Sequence, residues 1–204
     1  MLPDEYQQVE YIESSGTQWI DTGIKTSINL TFGGKFSFDS NNMSHGYTSP
    51  QGRLIIGRHS GGYLYVSIGN ISNFPVQSVA DSEFHTFETS AYHLTYSFDG
   101  IDYRASNSYD EVDTEFTISI FARRENWGSG KLETFVRGKC CKAYLYDKDM
   151  LVRNYIPCYS TTTVTDINGK ECLTGTIGLY DTVEGKFYTN QGTGEFIAGP
   201  DVTE

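Results

Sequence analysis

Residues 92–105 read Tyr92-His93-Leu94-Thr95-Tyr96-Ser97-Phe98-Asp99-Gly100-Ile101-Asp102-Tyr103-Arg104-Ala105. Tyr92, Leu94, Tyr96 and Phe98 alternate with His93, Thr95 and Ser97, the period-two pattern of a strand with one buried face. Asp99-Gly100 readily takes the positive φ angles of a type I′ turn, and Ile101, Tyr103 and Ala105 resume the alternation. The stretch predicts a hairpin pairing Phe98 with Ile101, Tyr96 with Tyr103 and Leu94 with Ala105 on one face.

The same period recurs outward from this hairpin. Phe116, Ile118, Ile120 and Ala122 alternate with Thr117, Ser119 and Phe121. Ala143 and Leu145 alternate with Tyr144 and Tyr146 before an Asp147-Lys148-Asp149 turn into the strand Leu151–Ile156. Further strands are expected at 9–12, 18–22, 31–38, 54–58, 63–68, 176–180 and 186–189, separated by Gly, Asn, Ser or Asp clusters. No window holds a 3.6-residue period over three turns, so the fold class is all-β. About a dozen short strands at this spacing predict a two-sheet antiparallel sandwich, one domain over residues 1–204. Its core should contain Leu94, Tyr96, Phe98, Ile118, Ile120 and Leu179, with Trp19 inside as well. The polar stretches 39–52, 70–83 and 160–171 are expected to be insertions between strands.

Composition narrows the function classes. The 204 residues carry 15 Lys+Arg against 26 Asp+Glu, a net charge of −11. Such a surface repels phosphate backbones and anionic lipid, so nucleic acid is not an expected partner. Aromatic residues make up 14% of the chain, enough packing material to exclude disorder. No run of 18 apolar residues exists, so membrane insertion by a helix is not expected. Met1-Leu2-Pro3-Asp4-Glu5 lacks the cationic and apolar stretches of a secretory signal. The expectation is a module used without such export, as virion proteins are, or part of a longer exported protein. Cys140, Cys141, Cys158 and Cys172 contain no C-x-x-C pair, which removes zinc spacing. Adjacent Cys140 and Cys141 should point to opposite faces of a strand, and free thiols are expected over a Cys158–Cys172 link.

Two terminal stretches resemble a known family. One runs Leu2-Pro3-x-Glu5-Tyr6-x-x-Val9-Glu10-Tyr11-Ile12-Glu13-Ser14-Ser15-Gly16-Thr17-Gln18-Trp19-Ile20-Asp21-Thr22-Gly23. The other runs Leu151-Val152-Arg153-Asn154-Tyr155-Ile156-Pro157-Cys158, then Ile177-Gly178-Leu179-Tyr180-Asp181-Thr182-Val183 through Phe196 to Gly199. Together they resemble the concanavalin A-like, laminin-G-like jelly-roll domains of phage tail and minor structural proteins and of gut-bacterial surface proteins. The middle matches only in pattern, at Phe98-Asp99-Gly100 and Phe121-Ala122-Arg123. The resemblance implies a jelly roll of two curved antiparallel sheets with the N- and C-terminal strands side by side. It implies a place on a virion tail or an extracellular cell surface, among other virion or surface-protein modules.

Three constellations bear on chemistry. Glu111, Asp113 and Glu115 alternate on one face, as in glycoside hydrolases of the same architecture, where such a row supplies nucleophile, helper and acid/base. The polar residues Asn107 to Asp110 before it and the shortage of Trp argue for a solvated acidic turn instead. Laminin-G-like domains often hold a rim calcium, and Asp21, Asp99, Asp102 and Asp181 lie at strand ends. Their local reading is turn-making: Asp99 in the hairpin and Asp181 ending a strand through an Asx bond. No cofactor is expected, with structural calcium the one candidate. Sugar binding needs an aromatic plate with planar polar groups beside it. Arg58, His59 and Tyr63 around one tight turn, and Arg124, Asn126 and Trp127 in a Gly-rich loop, offer both. The sequence therefore predicts a non-catalytic recognition or structural module whose partner is a cell-surface or host glycan. The alternatives are a hydrolase acting through Glu111, Asp113 and Glu115, and a virion domain without ligand.

Overall fold

A computed structural model describes residues 2–39, 47–48, 54–58, 62, 64–68, 71–73, 79, 81–104, 116–124 and 132–203. Among them are 21 strands and no helix. In chain order these are β1 (Tyr6–Gln8), β2 (Ile12–Ser15), β3 (Ile20–Lys25), β4 (Leu30–Phe38), β5 (Tyr47–Thr48), β6 (Leu54–Arg58) and β7 (Leu64–Ile68). Next come β8 (Ile71–Asn73), β9 (His85–Ser90), β10 (Thr95–Phe98), β11 (Ile101–Arg104), β12 (Thr117–Ile120), β13 (Ala122–Arg124) and β14 (Leu132–Phe135). The last are β15 (Arg137–Asp147), β16 (Met150–Ser160), β17 (Val164–Thr165), β18 (Glu171–Cys172), β19 (Ile177–Asp181), β20 (Lys186–Thr189) and β21 (Ile197–Ala198).

The large sheet orders as β11-β10-β9-β4-β15-β16-β19-β20, with β1 on β16, and β2 joining β15 to β21. The smaller sheet orders as β3-β12-β5-β6-β7-β8. The two-sheet antiparallel prediction holds, and the terminal segments pair as expected, Ile12 with Ala198 and Val9 with Asp201. The Asp-Gly hairpin has the predicted register for Phe98 opposite Ile101 and Tyr96 opposite Tyr103; of the third expected pair, Leu94 lies before β10 and Ala105 lies outside the described residues. Positive φ at both Asp99 (45°) and Gly100 (80°) fits the type I′ turn.

Between the sheets, Phe32, Phe36, Phe87, Phe98, Leu145, Tyr155 and Leu179 of the large sheet form one buried cluster with Ile20, Ile118, Ile120, Leu64 and Val66 of the small one. Two expected core residues are only half-buried, Leu94 packing against the edge of the core. Leu94 lies in the β9–β10 turn at a φ of 54° and is half-buried, because the chain must reverse there and β10 begins at Thr95. Trp19 is half-buried: it precedes β3 and lies against the 190–194 loop, where its N–H bonds Asn190 Oδ1 and its carbonyl accepts from Gln191. The polar 160–171 stretch forms the β17–β18 ribbon. Asp166 pins it, accepting from the Asn168 and Lys170 amides on Oδ1 and from Thr189 on Oδ2. All four cysteines are free, Cys140 in the core and Cys141 half-buried outside it.

Charge also enters the interior. Arg153, on the inner face of β16 and 8% exposed, donates from Nε to the Thr22 carbonyl of β3 at 3.3 Å and so joins the two sheets. Glu184 lies 2.8 Å from its Nη2, and Asp181 lies 3.6 Å from its Nε. Asp181 is fully buried and its Oδ1 accepts from the Asn154 and Val183 amides, the second being the predicted Asx bond. Removing the Asp181 carboxylate leaves the Asn154 and Val183 amides without their acceptor and the buried Arg153 with Glu184 as its remaining counter-charge. Asp181→Ala should therefore cost about 3–5 kcal/mol in chemical denaturation.

At another edge, His85 Nδ1 lies 2.7 Å from Asp99 Oδ2, and its Nε2 lies 3.1 Å from Asp81 Oδ1. Burial pulls the imidazole pKa down, but the bonds to Asp99 and Asp81 outweigh it and the net shift is upward. Both nitrogens can donate only when the ring is protonated. A raised folded pKa means the stabilisation is complete below the unfolded value of about 6.5 and is lost as pH rises through the folded one. Melting curves against pH should show this dependence in the wild type and not in His85→Gln.

Candidate functional site

Of the predicted loop residues, Arg58 and Arg124 lie on described strands. Arg58 closes β6 opposite Leu64, and Arg124 ends β13 opposite Leu132. β6 and β12 both run antiparallel to β5, so Arg58 and the β12–β13 junction lie toward the same end of the small sheet. The side chains of Arg58 and Arg124 lie outside the described residues, as do His59, Tyr63, Asn126 and Trp127. Glu111, Asp113 and Glu115 lie outside them too. Of the calcium candidates, Asp21 accepts from the Gly23 amide, Asp99 is bonded to His85 and Thr86, Asp102 is exposed on β11 and Asp181 is buried against Arg153. Among the described residues no three His, Cys, Asp or Glu side chains group closely enough to hold a metal.

The described chemistry gathers on the outer face of the large sheet. Alternation along β15 places Lys139 outward and Cys140 in the core. A bulge between Cys140 and Lys142, against β4, then adds one residue. Beyond it Ala143 and Leu145 face the core while Lys142, Tyr144 and Tyr146 face out. Tyr144 stands opposite Gly33, which stands opposite Glu88 of β9. A Cβ at Gly33 would come 2.5 Å from the Tyr144 ring, so the glycine leaves the space in which that ring crosses β4. Tyr144 then donates its hydroxyl to Glu88 Oε2 at 3.0 Å. Tyr146 is edge-on to Tyr144 at 5.8 Å. Further along the face, Tyr11 and Phe84 meet at 5.7 Å.

Cations lie over these rings. Lys139 Nζ is 4.6 Å from the centre of Tyr11, Lys142 Nζ 5.4 Å from Tyr144, and Lys35 Nζ 5.9 Å from Phe84. A groove of about 640 Å³ continues the face past Lys139, lined by Arg137, Glu13, Ser15, Thr17, Ser37 and Ser82 among others. Burial, then the Glu88 carboxylate, pushes the Tyr144 phenol well above its ordinary range, so it acts as a donor at neutral pH. The Cys141 thiol is raised by burial, with Lys35 and Lys139 opposing the shift and Glu10 adding to it. The arrangement combines half-exposed aromatic surface with ammonium groups, a carboxylate and hydroxyls, the means of holding a polyhydroxylated ligand.

No protein-family model matches the chain, and no curated protein matches it. Among solved structures it is similar to a candidate carbohydrate-binding protein from Bacteroides ovatus, with a TM-score of 0.60 at 10% identity. The likeness covers 96% of this chain and 62% of that one. At this identity it shows a shared fold. The chain spans about three-fifths of the length of that protein.

The sequence signals for sugar binding are turn and loop motifs, and the residues of the outer face are not among them. The available signal was Tyr144-x-Tyr146 beside Lys142, together with Gly33-Gly34, a pair too short to cradle phosphate but suited to close approach by a ring. If the Tyr144 ring occupies the space over Gly33, Gly33→Ala should destabilise by about 1–3 kcal/mol. The same change should cost much less in a Tyr144→Ala background, a coupling that urea titration of the four proteins would measure.

Proposed function

We propose that this chain is a non-catalytic recognition module that binds carbohydrate on the outer face of its large sheet, within a phage tail or bacterial surface protein. The observation that carries the reading is the row formed by Tyr144, Gly33 and Glu88, in which an aromatic ring is positioned across the sheet and fixed by a hydrogen bond. A sugar's apolar face can stack on such rings while its hydroxyls meet Glu88, Lys35 and Lys142. The name of the Bacteroides ovatus neighbour points the same way. Placement on a virion or a cell surface rests on the family resemblance of the terminal stretches.

A second surface is supported by topology: the end of β6, which carries Arg58, and the β12–β13 junction, which leads toward Arg124, lie toward one end of the small sheet. Glycan arrays followed by calorimetry on a retained glycan separate the two. Tyr144→Ala or Tyr11→Ala should weaken binding by about 1–3 kcal/mol if the outer face is used, and Trp127→Ala should do so if the loops are. Loss of affinity with folding preserved is the supporting result. Product release from a polysaccharide, abolished by Glu111→Gln, would overturn the non-catalytic reading.

A further inference from the structure

We infer that the outer face selects uronic-acid polysaccharide, holding the sugar carboxylates with Lys35, Lys139 and Lys142. The inference rests on the glycan-binding reading of that face and names the class of glycan. Lys142 and Lys35 stand directly opposite each other across β15 and β4, a like-charge pair that disfavours the sheet unless an anion lies between them. Neither they nor Lys139 form an ion pair with a described carboxylate, although the chain as a whole carries a net charge of −11. Arg137 extends the same side of β15 and lines the adjoining groove with Lys139.

The position of each ammonium over a ring decides between neutral and acidic sugars. An uncharged sugar stacking on Tyr11 or Tyr144 must displace Lys139 or Lys142 from the ring and leaves it with only water in exchange. A uronate stacks its ring and offers the displaced ammonium a full negative charge. The anion density is bounded from above as well. Glu13 stands opposite Lys139, Glu10 lies close enough to raise the Cys141 thiol, and Glu88 is bonded to Tyr144. Carboxylates interleaved with the lysines repel a densely sulfated or phosphate polymer while admitting a chain with one weak acid per sugar.

The test uses affinity electrophoresis and calorimetry on the intact chain with polygalacturonate, alginate and hyaluronate. Carboxyl-reduced forms of each, a heparin-type sulfated glycan and polyuridylate serve as comparisons. At least one uronate polymer should bind, and its reduced form should bind about tenfold more weakly. Each of Lys35→Gln, Lys139→Gln and Lys142→Gln should weaken binding about two- to fivefold without lowering the melting temperature, the scale of single exposed ion pairs. Added salt should weaken binding of the uronate polymer and leave its reduced form unaffected. Equal binding of the reduced form, preference for the sulfated or phosphate polymer, or Lys variants that bind as the wild type would overturn the inference. If neutral glycans bind and Tyr144→Ala abolishes that binding while the Lys variants do not, the glycan reading stands and the acidic selectivity falls. If no glycan binds, both fall.

Discussion

One extra residue in β15 decides what the large sheet shows to each side. Before the bulge, Cys140 points into the core; after it, Ala143 and Leu145 do, and Lys142, Tyr144 and Tyr146 turn outward together. Without that insertion a strand carrying Lys139 outward would send Tyr144 and Tyr146 into the core and Leu145 into water, since side chains alternate strictly. Gly34 makes the insertion sterically feasible, because a Cβ there would collide with the Lys142 carbonyl. The neighbouring Gly33 then accepts the Tyr144 ring. Two adjacent glycines on β4 thus accommodate both the backbone irregularity and its chemical consequence on the outer face.

The two sheets are also fixed to each other by something other than apolar contact. Arg153 crosses from β16 to the Thr22 carbonyl, and Tyr155 reaches the same oxygen with its hydroxyl at 3.4 Å. Burying a guanidinium is costly, and Asp181 and Glu184 offset that cost only in a defined geometry. Such a cluster adds little net stability compared with apolar residues of similar size. Its effect is selective, because a shift of one sheet past the other would strand a buried charge.

Fold and candidate site respond differently to sequence change. The similar Bacteroides ovatus structure keeps the architecture at 10% identity, as expected where alternation and turn chemistry set the strands and many residues satisfy each position. The face around Tyr144 depends on particular neighbours: a glycine below the ring, a carboxylate beside it and a lysine above it. Likeness of fold therefore carries no information about that face.

By itself the sequence determined the all-β class, the Asp99-Gly100 hairpin with the register next to its turn, and most of the core, including Tyr96, Phe98, Ile118, Ile120 and Leu179, while the pairing of the terminal segments came only from the family resemblance. These follow from period-two alternation and from the conformational preference of a few turn residues, which act over short distances. Leu94 reaches only the edge of the core because the turn before β10 claimed it, and Trp19 is half-buried because its neighbours come from the 190–194 loop far along the chain. The outer face was decided only in three dimensions. Alternation cannot reveal a bulge, since the extra residue exists only relative to the partner strand. Nor can it show that Gly33, Glu88 and Tyr144, spread over more than 100 residues of chain, stand in one row. That row is set by which strands pair and in what register, which depends on the whole core closing at once.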